Sequence, residues 1–422
     1  MKNPGERLIT RDVALVMVAT FCFMASNMMA TPLMAGFSES LGAAGALMGV
    51  VAGMMNVVAL FCRPVAGVLS DRASKRALVG VGAALYLVAS VWYSLAATPW
   101  ELIAARMING VGFACCSVCL ATWMSLLLPI RHMGAGMGLY GTMNALAMAI
   151  GPAVAIKAQQ LIGYRHTFLI SAAIAVLMVV SVLFVRNGGR PVGVGASDMA
   201  SGTGAASASA KSMAKAPRRL SLRSVVEPRV VPLSLVFMLF AIPYFATQSF
   251  IVSYVGARRL AVEVSLFFPC YAVALLIMRI VLRDWFDRKG FQFFFWICSV
   301  LMLATLLCLD LMANDAVLVL GAVLMAGSYG IMSSVTQAQA VIIAGKSRSG
   351  VANATYYAGI DLGMSLGPII GGALYGAVPV AWFYPLFMLA MPAAWLLYAA
   401  TARYVHGGRV TAWRRGRDDG GA

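Results

Sequence analysis

Charge is scarce in this sequence. Asp, Glu, Lys and Arg make up 11% of the 422 residues, whereas an ordinary soluble domain carries about a quarter, so water is not the main solvent of this chain. Acids are scarcer still, 15 in all, and histidines number three. His132, His166 and His406 fall in predicted loops, at a helix end or in the tail, and no carboxylate pair or metal-ligand cluster lies within an apolar stretch. Acid–base or metal chemistry is left without a buried site, and no enzyme is expected. The sequence also lacks a G-x-x-x-x-G-K-[ST] loop, which removes ATP as a direct energy source.

The eight cysteines all fall in apolar stretches, where no oxidising compartment would pair them. Cys116 and Cys119, next to Cys115, form a C-x-x-C, but no histidine or second cysteine pair accompanies them. Packing between helices is the expectation for these thiols and for the 27 methionines, which suit irregular apolar surfaces. Neither a metal nor another cofactor is implied.

What the chain has in quantity is hydrophobic residues, 61% of the total. Twelve stretches reach the roughly 20 residues a helix needs to cross hydrocarbon, at about 12–35, 45–69, 77–97, 100–127, 135–157, 166–186, 230–256, 262–282, 292–312, 315–344, 350–376 and 380–402. The first run is longer than a signal-peptide core of roughly 7 to 15 residues and is expected to stay as span 1. The net charge of +17 comes from basic residues scattered over short loops, so a lipid bilayer, not nucleic acid, is the expected partner. Most of the Lys and Arg lie in the two termini and the even-to-odd loops, with only Lys157, Arg165, Arg258 and Arg259 on the other side. By the positive-inside rule both termini are cytoplasmic.

Residues 187–229 interrupt the pattern with a Gly, Ala and Ser-rich segment that ends basic, the composition of a flexible linker. The expected organisation is a six-helix unit over 1–186, the linker, a second six-helix unit over 230–403 and a tail over 404–422. The units repeat. Arg63, Asp71 and Arg72 recur 216 residues later as Arg279, Asp287 and Arg288, and Gly151-Pro152 recurs at the same offset as Gly367-Pro368. Two tandem copies in the same sense are the mark of a duplicated transporter, with the substrate path between its halves.

The loop after span 2, GVLSDRASKR at residues 67–76, resembles the G-x-x-x-D-R-x-G-R-R signature of the major facilitator superfamily. Ser74 replaces one glycine of that signature, and Gly290 retains it in the second copy. RPVAGVLSDR, RMINGVG, GAGMGLYGTMNALAMAIGP and GVANATYYAGIDLGMSLGP together are similar to a bacterial efflux branch of that family containing sugar-efflux-like, drug and metallophore exporters. The resemblance implies an all-α membrane protein of two parallel six-helix bundles, in a bacterial inner membrane, monomeric, moving a small molecule with protons as the partner ion.

Several residues then take candidate roles. Gly67, Asp71, Arg72 and Arg76, with Asp287 and Arg288, would latch the cytoplasmic side when the halves close there; a positive-inside anchor is the plainer alternative. Arg106 in span 4 sits at membrane depth, where a charge costs about 2.5 to 3.5 kcal/mol and normally faces protein or a wet cavity. The resemblance links it to proton transfer, by biasing a carboxylate or binding an anionic group; a structural pairing with Glu101 or a helix end is the other reading. Asp361, the only carboxylate near the middle of a predicted span, is the leading proton carrier, or else a satisfied structural aspartate. Gly151-Pro152 and Gly367-Pro368 are candidate hinges or fixed tight crossings. Spans 1, 4, 7 and 10 would line the cavity, offering Asn27, Asn109, Trp123, Tyr244, Gln248 and Gln337 to an amphipathic solute, unless these groups only bond between helices. Proton-coupled efflux is the first expectation. A nutrient symporter and a receptor that binds without transporting are the alternatives.

Overall fold

Thr10 and Pro32 bracket the first helix. The Thr10 hydroxyl accepts the Val13 N–H at 3.3 Å, opening α1 (Arg11–Ala30), and Pro32, with no N–H to give, falls in the turn that follows. The chain re-enters a short buried helix, α2 (Met34–Ser40), so the first span ends at Ala30 and not at 35. The computed structural model describes residues 9–128, 133–186, 226–282, 285, 289–344 and 349–402.

The next helices are α3 (Ala46–Arg72), α4 (Lys75–Leu95), α5 (Pro99–Leu127) and α6 (Met133–Leu183). The second half holds α7 (Val231–Ala257), α8 (Phe267–Val281), α9 (Phe291–Asp310), α10 (Asp315–Met325), a π-helical turn (Ala326–Gly330), α11 (Ile331–Ala344), α12 (Ser349–Ala377) and α13 (Phe383–Met388). Starts are written in the sequence. Thr98 accepts the Glu101 N–H while Glu101 reaches back to the Ala97 N–H, a reciprocal cap with Pro99 at the first helical position. Asn314 caps α10 through the Val317 N–H at 3.0 Å.

As one straight rod, α6 would be about 77 Å long at 1.5 Å per residue, more than twice the hydrocarbon thickness. It folds back at Gly163 (φ 79, ψ 171), a left-handed conformation natural to glycine. Both arms then meet α1: Gly151 abuts Ala25 and Met28, and the Ser171 and Ser26 hydroxyls lie 2.8 Å apart. Ten helical segments among the described residues are long and apolar enough to cross a membrane. One of them, Leu139–Leu183, contains the Gly163 fold-back, and Ser349–Ala377 is a further 29-residue helix, which together account for the twelve predicted spans.

The end holding Gly45, Gly163 and Gly376 uses its few basic residues on helix ends and across the halves. Arg165 donates to Ser94 O (3.2 Å) and Ala96 O (2.9 Å) at the end of α4, and Arg258 donates to Asp310 O (2.9 Å) at the end of α9, satisfying carbonyls that a helix leaves open. Lys157 pairs with Glu263 of the other half. The segment predicted as linker up to 229 docks earlier, where the Glu227 N–H donates to Thr355 Oγ1 at 2.9 Å.

Buried apolar side chains divide unevenly. One cluster joins the second half to first-half residues near the Gly45 end, including Leu33, Phe37, Met48, Tyr93 and Phe168. The other contains first-half residues alone, such as Val16, Phe23, Tyr86, Trp123 and Met178, toward the Arg72 end. Among the described residues, the halves therefore share a core at the Gly45 end and keep separate cores at the Arg72 end.

Candidate functional site at the seam between the halves

Three glycines at a spacing of four, Gly45, Gly49 and Gly53, place one bare face of α3 against α12. A Cβ at Gly45 would stand 2.7 Å from Gly376 Cα, at Gly49 2.5 Å from Pro368 O, and at Gly53 2.8 Å from Ser365 O. No larger residue fits without parting the helices. Further along the same seam Asn56 Nδ2 donates to Met364 O at 3.1 Å. Beyond it, Arg63 Nη1 meets Asp361 Oδ2 at 2.9 Å.

This ion pair is the chemical centre of the interface. Asp361 lies near the middle of α12, and its side chain is 7% exposed against 23% for Arg63. The Arg63 guanidinium also stands 5.3 Å from the centre of the Phe113 ring, within reach of a cation–π attraction. The buried carboxylate requires the arginine, because removing Arg63 leaves its charge uncompensated. The carboxylate flagged by the sequence thus belongs to a bridge between the halves, and its partner comes from span 2.

Arg106 does something else. It is 1% exposed and donates to Val51 O (3.3 Å) and Ala52 O (2.6 Å), with Met55 Sδ at 3.6 Å, fastening α5 to α3. The anticipated pairing with Glu101 does not form, since Glu101 is engaged in the cap at Thr98. The glycines of its motif serve packing: a Cβ at Gly110 would lie 2.5 Å from Met55 O, and at Gly112 2.9 Å from Gly82 O.

The proposed cavity residues lie mostly inside the protein. Asn27, Asn109 and Gln248 are buried, and Asn27 Oδ1 and Nδ2, Asn109 Oδ1 and Gln248 Oε1 have no hydrogen-bond partner, a costly condition for polar atoms away from water. Trp123 is buried in the first-half core. Tyr244 accepts from Gln248 Nε2 at 2.8 Å and stacks on Tyr329 with ring centroids 3.8 Å apart. Gln337 bonds Asn353 and Tyr357, an interhelical link. Tyr329, which sequence reasoning passed over, sits in the π-helical turn, a feature common at functional sites.

Of the gate residues, Gly67 has nothing within 4 Å of an added Cβ, in keeping with separate cores at that end. Arg76 donates to Leu183 O. The side chains of Asp71 and Arg72, and all of Asp287 and Arg288, lie outside the described residues. Both glycine–proline pairs occur as tight crossings, Gly151 on α1 and Gly367 on α7, where a Cβ would be 2.6 Å from Ile242 O; both prolines sit inside continuous helix.

The family model for the Major Facilitator Superfamily matches residues 16–315. An MFS-type transporter of Methanocaldococcus jannaschii, MJ1560, is 22% identical over 186 residues, 42% of this chain and 48% of that one. The multidrug resistance protein MdtL of Escherichia coli is 26% identical over 133 residues, 32% of this chain and 34% of that one. The chain thus spans less than half the length of these relatives. Among solved structures, a POT family transporter in complex with 5-aminolevulinic acid superposes with a TM-score of 0.73 at 13% identity, covering 94% of this chain and 96% of that one. A mutant of the nucleoside transporter NupG gives 0.69 at 14% identity, covering 93% and 99%, and both likenesses concern the fold. With a multi-pass helical bundle, a seam between two halves and a family match over most of its length, the chain belongs to the major facilitator superfamily.

Proposed function

We propose that this transporter exports small amphipathic compounds in exchange for protons, by alternating access, with the Arg63–Asp361 bridge as its coupling element. The observation that carries the reading is that a buried carboxylate and a partly buried guanidinium, on opposite halves, close the seam at 2.9 Å. A proton on Asp361 cancels the attraction and frees α3 from α12. Breaking a buried pair costs about 3 to 5 kcal/mol, comparable with the few kcal/mol that separate alternate conformations. The positive-inside count supports a cytoplasmic Arg72 end and cytoplasmic termini, and with the Gly45 end closed we read this as a state open to the cell interior. Asp361 takes up a proton from outside while the seam is parted, the protonated protein closes again, and loss of that proton inward restores the bridge.

Asn27, Asn109 and Gln248, whose amide atoms lack protein partners, are the polar contacts offered to the substrate. Asp71, Arg72 and Arg76, with Asp287 and Arg288, latch the cytoplasmic end when it closes, while the glycine–proline crossings at Gly151 and Gly367 act as pivots. The multidrug resistance relative supports the outward direction. The protein works as a monomer in a bacterial inner membrane. Everted vesicles from a host lacking its own exporters, screened with a panel of fluorescent dyes, test this. Accumulation driven by an acid interior and abolished by a protonophore is expected; accumulation confined to right-side-out vesicles would replace export with import.

A further inference from the structure

A cavity of about 300 Å³ lies on the flank of the second half, between α8, α9 and the π-helical turn. No charged, amide or hydroxyl side chain lines it. Its rim is made by Ile277, Val281 and Ile297, all exposed, and its floor by Cys298, Gly327 and Ile331, all buried. Because α9 packs against elements of its own half, the rim faces hydrocarbon and not the seam. Along α9 the lining runs from Phe293 to Leu301, about 12 Å at 1.5 Å per residue, most of the depth of one leaflet when a bilayer's hydrocarbon is about 30 Å thick. α8 starts beside Glu263 at the Gly45 end, so Trp285 and the start of α9 mark the Arg72 end. There Trp285 and Phe293 meet with ring centroids 6.0 Å apart, and Lys289 Nζ stands 5.2 Å from the centre of the Phe293 ring. Trp and Lys are anchors at headgroup level.

The floor of the groove is the back of the π-helical turn. The Cys298 thiol donates to Gly327 O at 3.4 Å, and Ser328 Oγ donates to Cys298 O at 2.9 Å. The next residue, Tyr329, stacks on Tyr244 of α7. The counterpart of Cys298 in the first half, 216 positions earlier, is Gly82, where an added Cβ would lie 2.5 Å from Cys116 Sγ. The first half uses that position for helix contact, and the second keeps a groove.

We propose that this groove is a lipid site: one acyl chain of a phospholipid in the leaflet at the Arg72 end lies along α8 and α9, its phosphodiester at the Trp285–Lys289 mouth, and the seated chain braces the π-helical turn that holds Tyr329 against Tyr244. The groove follows the helix axes and so the lipid chains, and its lining offers nothing that would orient a compact polar solute. Left empty, it would deprive its lining of partner atoms on one side. A phosphodiester is common to all phospholipids, so chain and phosphate define the ligand, not net charge. Tyr244 in turn accepts from Gln248, one of the contacts proposed for the substrate, so the bilayer reaches the substrate path through this turn.

Delipidated full-length protein in dodecyl maltoside, titrated with palmitoyl-oleoyl phosphatidylcholine and followed by native mass spectrometry, tests the site. One phospholipid is expected to stay bound at collision energies that strip the rest. Ile297→Trp and, from the other rim, Val281→Trp should each lower its occupancy about tenfold or more, the worth of one buried apolar side chain, whereas Val88→Trp, at an exposed position of α4, should not. Palmitoyl-oleoyl glycerol, with the same chains and no phosphate, should bind roughly tenfold more weakly, and Lys289→Ala should erase that difference. Amide hydrogen exchange at residues 327–329 should slow several-fold when the phospholipid binds. No retained lipid, retention that survives both rim variants, equal binding of the two lipids, or exchange that ignores the lipid would each overturn the proposal. So would displacement of the lipid by a dye that the protein carries, which gives the groove to substrate, or a dimer in place of the lipid-bound monomer, which gives it to a second copy. Binding is read without transport, so failure of the exporter reading leaves the site untouched.

Discussion

Arg63 and Asp361 stand 2.9 Å apart, one on each half of the molecule, with the carboxylate three times less exposed than the guanidinium. Asp361 has little solvation to fall back on once its partner is removed. Arg63→Leu should therefore lower stability by about 3 to 5 kcal/mol, the usual cost of stranding a buried charge. The Arg63→Leu, Asp361→Leu double variant should recover most of that loss. Thermal unfolding of the four purified proteins in one detergent measures the coupling, and strictly additive losses would mean that the pair contributes nothing.

Closure at the Gly45 end depends on bare backbone at the seam. Gly49→Leu would bring side-chain atoms onto Pro368 O and Gly372 Cα, which already lie 2.5 and 2.9 Å from an added Cβ. The variant should fold, because each half keeps its own contacts, but its distance distribution between spin labels on α3 and α12 near Gly45 should shift outward. Transport should fall with it. An unchanged distribution would show that the seam tolerates a side chain.

Most of the fold was legible in the sequence, because hydrophobic runs of membrane length and Pro, Gly and Thr punctuation are local signals. The boundaries of α5 and α12 fall within a residue or so of the predicted spans for that reason. Asp361 was legible too, as a lone carboxylate in an apolar run. Its partner was not: Arg63 and Asp361 are about 300 residues apart in the chain, and which arginine meets the acid depends on how two bundles dock. Gly45, Gly49 and Gly53 were readable as a face and were passed over, since nothing local says that another half must approach there. Arg106 drew attention by its depth and by its R-x-x-x-G-x-G motif, whereas the carbonyls of the neighbouring helix that it bonds are invisible in a sequence pattern.

Arg106 fastens α5 to α3 through two backbone carbonyls. Lysine, with a single ammonium at the end of its chain, cannot reproduce that fork. Arg106→Lys should cost about 1.5 to 3 kcal/mol, one charged hydrogen bond, while the pH dependence of transport stays that of the wild type. A shifted pH profile in a stably folded Arg106→Lys protein would return Arg106 to the coupling machinery.

Lys157 and Glu263 join the halves at the Gly45 end, Glu263 lying just ahead of the apolar segment Val264–Val281. Hydrogen bonds from Lys157, and then from Ser265, hold the Glu263 carboxyl below its ordinary value. A carboxyl depressed in the closed state supports closure fully above the ordinary carboxylate range, near 4.3, and loses that support as pH falls through its lowered value. Both side chains are partly exposed, so the effect is small. The closed fraction measured by spin-label distances should drop a few-fold at most on strong acidification of that face, and Glu263→Gln should flatten this part of the response.

Uphill and downhill movement, measured on the same Asp361→Asn proteoliposomes, separate coupling from translocation. Asparagine keeps the size of the side chain and cannot exchange a proton. The variant is predicted to exchange labelled substrate for unlabelled at close to the wild-type rate, without response to an imposed pH gradient and without accumulation. Gradient-driven accumulation equal to that of the wild type would contradict the assignment of Asp361 as the site where protons are coupled to transport.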